Sequence, residues 1–365
     1  MKTVLPQKIQ EPFSSNAIRL SIREWLIALM ITVGGMAVLH EIWQRIEAFT
    51  PDTDYRIPYN ISEDYWLFHR YCRSVCVQDK ILLIGDSVIW GQYVHKNQTL
   101  THYLNKRAGE ECFRNLGLDG CHPMALAGLI EHYGRDIKGK DVILHLNLLW
   151  LSSPRTDLQT DKEFRFNHPR LVPQFVPHIP CYTESISRRI GIIVKRNILL
   201  LNWPNHVQSV YFSNTSLSHW TMENPYANPF SRITFCLPES DKNEHTSVQS
   251  WNSRSQNLQH FPWVKLETSL QWRAFQRLVA LLQTRHNRVF IIVGPLNETV
   301  LEPESLKIYK QLLINIQTWM EEAHLPHYVF PPLPGHLYAD ASHPLNQGYE
   351  RMAEQIWKSL RIEKK

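Results

Sequence analysis

Residues 141–149 read DVILHLNLL, a nearly unbroken apolar run of strand length. Alternate side chains of a strand point to opposite faces, so a run that is apolar at both odd and even positions must be covered on both sides. Parallel sheets are covered in this way, because their crossover helices lie on the faces. The flanking pattern agrees. Residues 80–84 read as a buried strand, 98–108 as a helix, 111–116 as a second strand and 123–137 as a second helix. Further on, a helix at 266–284, a strand at 288–293, a helix at 303–323, a short strand near 327–330 and a last helix at 344–360 resume the alternation. The expected fold class is therefore α/β: a flavodoxin-like parallel sheet with helices on both faces, over residues 79–365. A long irregular insertion at about 151–264, with one convincing helix near 184–201, interrupts it. The insertion leaves from the C-terminal edge of the third strand, where such sheets place their sites.

Ahead of this domain, residues 25–39 (WLIALMITVGGMAVL) carry no charge. As a helix they rise about 22 Å, and continuing to Trp43 gives about 28 Å, close to the roughly 30 Å of bilayer hydrocarbon. Tryptophans stand at both ends, where an interfacial belt favours them. Lys2, Lys8, Arg19 and Arg23 precede the segment, whereas Arg45 and Arg56 follow it among several acids. The expectation is a cytoplasmic N-terminus at 1–24, a transmembrane signal anchor at 25–43 and a tether rich in Asp, Pro and Tyr at 44–78. The α/β domain would then be extracytoplasmic, periplasmic or extracellular. Ala37-Val38-Leu39-His40 is a poor cleavage site for a signal peptide.

Composition excludes several classes. Of 365 residues, 43% are hydrophobic and 12 are tryptophan, which is incompatible with disorder. The net charge of +5 is spread along the chain, apart from a basic tail of Lys358, Arg361, Lys364 and Lys365, so no nucleic-acid partner is expected. All six cysteines follow the anchor; their even number permits disulfides, with Cys112 and Cys121 flanking one candidate loop. The Cys72-x-x-x-Cys76 pair lacks a second pair, and the 18 histidines show no metal-binding spacing, so neither a metal nor a cofactor is expected. Trp203, Trp220, Trp251 and Trp263 in the insertion read as packing residues before they read as sugar platforms.

Chemistry concentrates at two places. Gly85-Asp86-Ser87 ends the first strand, and Asp340-Ala341-Ser342-His343 precedes the last helix. A serine in the first turn of a helix sits at its positive end, which favours developing negative charge. It needs a base, and His343, with Asp340 fixing its tautomer, supplies one if the fold brings both ends of the domain together. An unrelated binding domain would leave Ser87 and His343 far apart.

These blocks resemble the SGNH (GDSL) hydrolase and acyltransferase superfamily. The first appears as Ile84-Gly85-Asp86-Ser87, the second as Asn115-Leu116-Gly117, and the last as Asp340-Ala341-Ser342-His343-Pro344 followed by Gly348-Tyr349. The resemblance implies an SGNH fold with Ser87 as nucleophile, His343 as base and Asp340 as its orienter. It also implies an oxyanion hole using the backbone N–H groups of Ser87 and Gly117. The third block departs from the family's Gly-x-Asn-Asp: residues 146–150 read Leu-Asn-Leu-Leu-Trp, so Asn147 either fills the oxyanion hole from a shifted register or caps the strand end. An anchor ahead of an outward-facing domain is similar to accessory proteins of cell-envelope polysaccharide O-acylation. The implied partners are an acylated carbohydrate or small ester substrate, the membrane, and a membrane-bound O-acyltransferase. The rival expectation is a catalytically silent domain that binds polysaccharide or scaffolds such an acyltransferase.

Overall fold

In the computed structural model the described residues are 20–239, 248–253 and 257–363. The expected cations Lys2, Lys8 and Arg19, and the tail residues Lys364 and Lys365, lie outside them. The chain divides into two compact units, Met1–Glu47 and Ala48–Lys365.

The described residues of the first unit form one helix, α1 (Ile22–Ile46). Ser21 opens it with a capping box: its hydroxyl accepts from the Glu24 N–H at 3.4 Å, while its own N–H donates to Glu24 Oε2 at 2.7 Å. Its best 18-residue window has a mean hydropathy of 1.8 and is almost entirely unburied. With 25 residues the helix is about 37 Å long, enough to cross a bilayer. It runs three residues past the expected end at Trp43.

The second unit is built on a five-stranded, all-parallel sheet. In chain order it contains α2 (Tyr65–Cys76), β1 (Ile81–Ile84), α3 (Ser87–Trp90), α4 (Leu100–Ala108), β2 (Phe113–Asn115), α5 (Pro123–His132) and β3 (Asp141–Leu146). There follow α6 (Ile186–Asn197), α7 (Trp203–Tyr211), α8 (Leu217–Glu223), α9 (Leu270–Thr284), β4 (Arg288–Val293), α10 (Pro303–Glu322), β5 (His327–Val329) and α11 (Asn346–Glu363). The strand order is β2-β1-β3-β4-β5, a doubly wound order whose switch point lies between β1 and β3.

The two-sided apolar pattern of the strands sorts into two cores. Leu82, Ile84, Val142, Leu144, Leu146, Val289, Ile291 and Val293 face one side, against α2, α5, α9 and α10. Leu83, Ile143, Phe290 and Ile292 face the other, against α3, α4 and α11. The third strand stops at Leu146 rather than at residue 149. Asn147 Oδ1 accepts from the Leu149 N–H at 3.0 Å and turns the chain into a short 3-10 helix.

The segment expected to be a tether is instead part of the fold. Tyr55, Ile57 and Ile61 are buried, and α2 contributes Leu67, Phe68, Tyr71, Cys72 and Val75 to the first core. Those positions form one helical stripe, and Asp64 caps its start by accepting from the Leu67 N–H at 3.0 Å. The other Asp64 oxygen meets His206 Nδ1 on α7 at 2.6 Å, with both side chains buried. The insertion is likewise woven into the host: Asp157 accepts from the N–H groups of Leu270 and Gln271 at 2.9 and 3.0 Å, capping α9. Trp263 is buried, its indole donating to Ser305 O at 2.9 Å, and Trp220 packs edge-on against Phe212. Cys72, Cys76, Cys121, Cys181 and Cys236 are free thiols, so no bridge joins Cys121 to Cys112 across the candidate loop.

A core role for α2 has a direct consequence. Phe68→Ala should lower stability by about 3–5 kcal/mol, as for other fully buried aromatics. A tether residue would shift it by no more than about 0.5 kcal/mol. Urea unfolding of the detergent-solubilised chain, followed by tryptophan fluorescence, distinguishes the two.

Candidate active site

Strand β1 ends at Ile84 and the chain turns at once into α3, so Ser87 occupies the first helical position. The turn is tight. A Cβ on Gly85 would sit 2.4 Å from Ile89 Cγ1 and 2.9 Å from His145 Cβ, which only glycine avoids. Asp86 caps the helix, its Oδ1 accepting from the Val88 N–H at 3.0 Å. The Ser87 N–H is the first of the helix and has no intrahelical partner.

Helix α3 is a single turn, and it ends at Gly91 with φ +89°. Its carbonyls are held from four directions. Ser87 O accepts from the Gly91 and Gln92 N–H groups at 2.9 and 3.0 Å. Val88 O accepts from the Tyr349 hydroxyl at 2.8 Å, and Ile89 O from Asn115 Nδ2 at 2.9 Å. Trp90 O accepts from Arg56 Nη1 at 3.0 Å. Arg56 is fully buried, also donates to Gly91 O and Val94 O, and lies 4.1 Å over the Trp90 ring.

The first strand's end and the segment before the last helix meet here. Ser87 Oγ lies 2.8 Å from His343 Nε2, and His343 Nδ1 lies 2.9 and 2.8 Å from the two oxygens of Asp340. Asp340 Oδ1 also accepts from the N–H groups of Ser342 and His343, both at 2.9 Å, which fixes the carboxylate relative to the ring. With Nδ1–H directed at Asp340, the Nε2 lone pair faces the serine hydroxyl. Burial alone would push the His343 pKa down, but the Asp340 hydrogen bond and charge outweigh it and raise it above the ordinary 6.5. Burial pushes Asp340 up, and His343 together with the two N–H donors brings it net below the ordinary 3.8. Tyr93, in a left-handed backbone conformation at φ 66°, presents its ring edge-on to the His343 ring at 5.4 Å. Ser87 is 5% exposed and His343 8%, so the pair is largely enclosed.

Sequence reasoning missed the hub beneath the serine. Asp86 Oδ2 accepts from Asn147 Nδ2 and from the Trp150 indole N–H, both at 2.8 Å. His145 Nδ1 stands 3.4 Å from Asp86 Oδ1, while its Nε2 is bonded to Gly294 O at 2.9 Å. Burial favours a neutral Asp86, yet His145, Trp150 and Asn147 overcome it and hold its pKa down to about 2. The side chain is thus an ionised buried carboxylate. The expected oxyanion donors have partners of their own: Asn147 donates to Asp86, and the Gly117 N–H donates to Asn115 Oδ1 at 2.9 Å. Gly117 packs against the backbone of α3, where a Cβ would fall 2.3 Å from the Trp90 nitrogen. Among the described residues no group of three or more His, Cys, Asp or Glu side chains could hold a metal ion.

No protein-family model matches the chain, and no curated protein matches it.

Asp86→Ala strips an acceptor from the Val88, Asn147 and Trp150 donors and leaves His145 without its anion. The expected loss is about 3–5 kcal/mol, the range for breaking a buried charged network. Thermal unfolding of the purified variant checks it, and a loss below about 1 kcal/mol would show that Asp86 is no hub.

Proposed function

We propose that the chain is a membrane-anchored serine acyl hydrolase or O-acyltransferase of the SGNH kind, acting outside the cytoplasm on an acylated cell-surface carbohydrate. The observation that carries this reading is the Ser87–His343–Asp340 relay at 2.8 Å steps, assembled from the two ends of the domain at the sheet's switch point. The cation bias ahead of residues 25–43 supports the outward orientation.

In this reading Ser87 Oγ attacks an ester carbonyl while its proton passes to His343 Nε2. The tetrahedral oxyanion forms at the positive start of α3, near the Ser87 N–H. Collapse breaks the ester bond, the leaving alcohol takes the proton from His343, and an acyl-Ser87 ester remains. Water or a sugar hydroxyl then gives its proton to His343, attacks the acyl carbon and releases Ser87. Hydrolysis and transfer differ only in that acceptor, and an insertion that excludes water favours transfer. A membrane-bound O-acyltransferase is the partner that would supply the acyl group.

The second reading, a silent domain that binds polysaccharide or scaffolds the acyltransferase, draws on one observation. Gly117 N–H and Asn147 Nδ2 are both engaged within the chain. Loss of one oxyanion donor costs about 10²–10³ in turnover.

A fluorophosphonate probe applied to the full chain in detergent separates the two. The active reading expects a single adduct on Ser87, none in Ser87→Ala, and p-nitrophenyl acetate turnover reduced about 10³-fold or more in His343→Ala. An unlabelled wild-type protein would sink it. The pH profile gives an independent check. The base must be neutral, so kcat/KM should fall as pH drops through the raised His343 value, with an acid limb above 6.5. In Asp340→Asn the two largest raising causes are removed, leaving desolvation against the weaker pull of Asp86 and Asp119, so the limb moves to lower pH as the rate falls.

A further inference from the structure

An amphipathic helix normally buries its apolar stripe, and α6 does the opposite. Its inward face is anchored by arginines. Arg189 donates to Tyr182 O at 2.7 Å, to Glu184 O at 3.2 Å and to Gln174 O, and Arg196 donates to Arg170 O at 2.7 Å and to Val172 O. Only Ile192 among its aliphatic residues is buried. Ile186, Ile190, Ile193 and Val194 are 69, 50, 37 and 42% exposed, and Ile198 just beyond the helix is 47% exposed. These positions recur at helical spacing along one side. Phe175 and Val176, 47 and 84% exposed, line a 440 Å³ cavity together with Ile193, so the apolar surface continues beyond the helix.

The helix itself carries charge of one sign, and the acid nearest its start, Glu184, pairs with Arg188 at 3.3 Å. Residues 186–197 contain Arg188, Arg189, Lys195 and Arg196 and no acid. Protein interfaces centre on aromatic and arginine anchors set in pockets. Here the exposed helix face is wholly aliphatic, and the arginines Arg189 and Arg196 are turned inward. A bilayer surface matches an aliphatic face with cationic flanks, since such helices lie in its plane with basic groups at the lipid phosphates. The insertion also passes beside the residue at which the chain arrives from α1: the Ala48 N–H donates to Phe235 O at 3.0 Å.

We infer that α6, with the Phe175-Val176 loop, seats the α/β unit on an anionic bilayer surface. This rests on reading α1 as membrane-spanning. The Ile and Val side chains would enter the boundary between headgroups and acyl chains, while Arg188 and Lys195 meet lipid phosphates. The unit is then oriented against the membrane as well as attached to it.

The test uses the full chain in nanodiscs that contain phosphatidylglycerol and a phospholipid with a carbene-generating group on its acyl chain. After illumination, lipid adducts are mapped by mass spectrometry. The expected result is adducts on peptides of both α1 and residues 175–198. In phosphatidylcholine discs the second set should fall about tenfold while α1 is unaffected, because the headgroup attraction is electrostatic. Ile190→Asp with Val194→Asp should abolish the second set and leave the α1 adducts and the thermal midpoint unchanged, since both side chains are exposed. Adducts on α1 alone would overturn the inference and leave the anchor standing. Absence of adducts on α1 would instead overturn the anchor reading on which it rests. Two copies per disc by mass photometry, with no lipid adducts on 175–198, would overturn it in favour of self-association.

Discussion

A helix of one turn cannot support itself, because nucleation fixes several residues for a single hydrogen bond. Helix α3 is such a turn, and it carries Ser87. Its position is imposed from outside by Tyr349 of α11, Asn115 of β2 and Arg56 of the segment before α2, each holding a different carbonyl. The Arg56 grip is the strongest of the three. Guanidinium bonds to the carbonyl groups of Trp90, Gly91 and Val94 carry charge assistance, and the ring contact with Trp90 adds a cation–π term of about 2 kcal/mol when desolvated. Trp90 is itself tied to Ile57 O through its indole at 2.7 Å. The placement of the serine therefore depends on three parts of the chain that are remote in sequence.

This explains why the segment at 55–76 belongs to the domain. Without it the C-terminal end of α3 loses its donors, and the first core loses the stripe from Leu67 to Val75. The same segment reaches into the insertion through the Asp64–His206 pair and through Tyr65, whose hydroxyl lies 3.0 Å from His168 Nδ1. His168 in turn bonds Asp119 O at 2.7 Å, in the loop after β2. One continuous set of buried polar contacts thus joins the N-terminal segment, the insertion and the loop beside the serine.

The strands were legible because apolarity at consecutive positions has one physical meaning, burial on both faces. Ser87, Asp340 and His343 were legible because each lies where an element begins or ends, and their geometry follows from the sheet. Helix α2 was obscured by the polar atoms of Tyr65, His69, Arg70 and Arg73, although Leu67, Phe68, Tyr71, Cys72 and Val75 carry the helical period. Arg56 left no signal at all: an arginine among Asp, Pro and Tyr reads as solvated, and its carbonyl partners belong to a backbone not yet folded. Asn147 could be placed near the site but not given a partner, because Asp86 lies 61 positions away.

The expected oxyanion donors differ in what they have left to give. A side-chain amide carries two hydrogens, so Asn147 can serve Asp86 with one and retain the other. The ionised Asp86 then acts as an orienting group, fixing the Asn147 rotamer together with the cap to Leu149. Gly117 has a single N–H, and Asn115 Oδ1 occupies it. Freeing it means rotating Asn115, whose amide nitrogen holds Ile89 O on the serine's own turn. Release of that donor is therefore coupled to loosening of α3, whereas donation from the second Asn147 hydrogen need not break the bond to Asp86. A developing oxyanion competes well for either group, since hydrogen bonds to charged acceptors are about twice as strong as neutral ones. In the proposed reaction, Asn147, in the block that departs most from the SGNH pattern, would be the side chain best prepared to stabilise the tetrahedral intermediate.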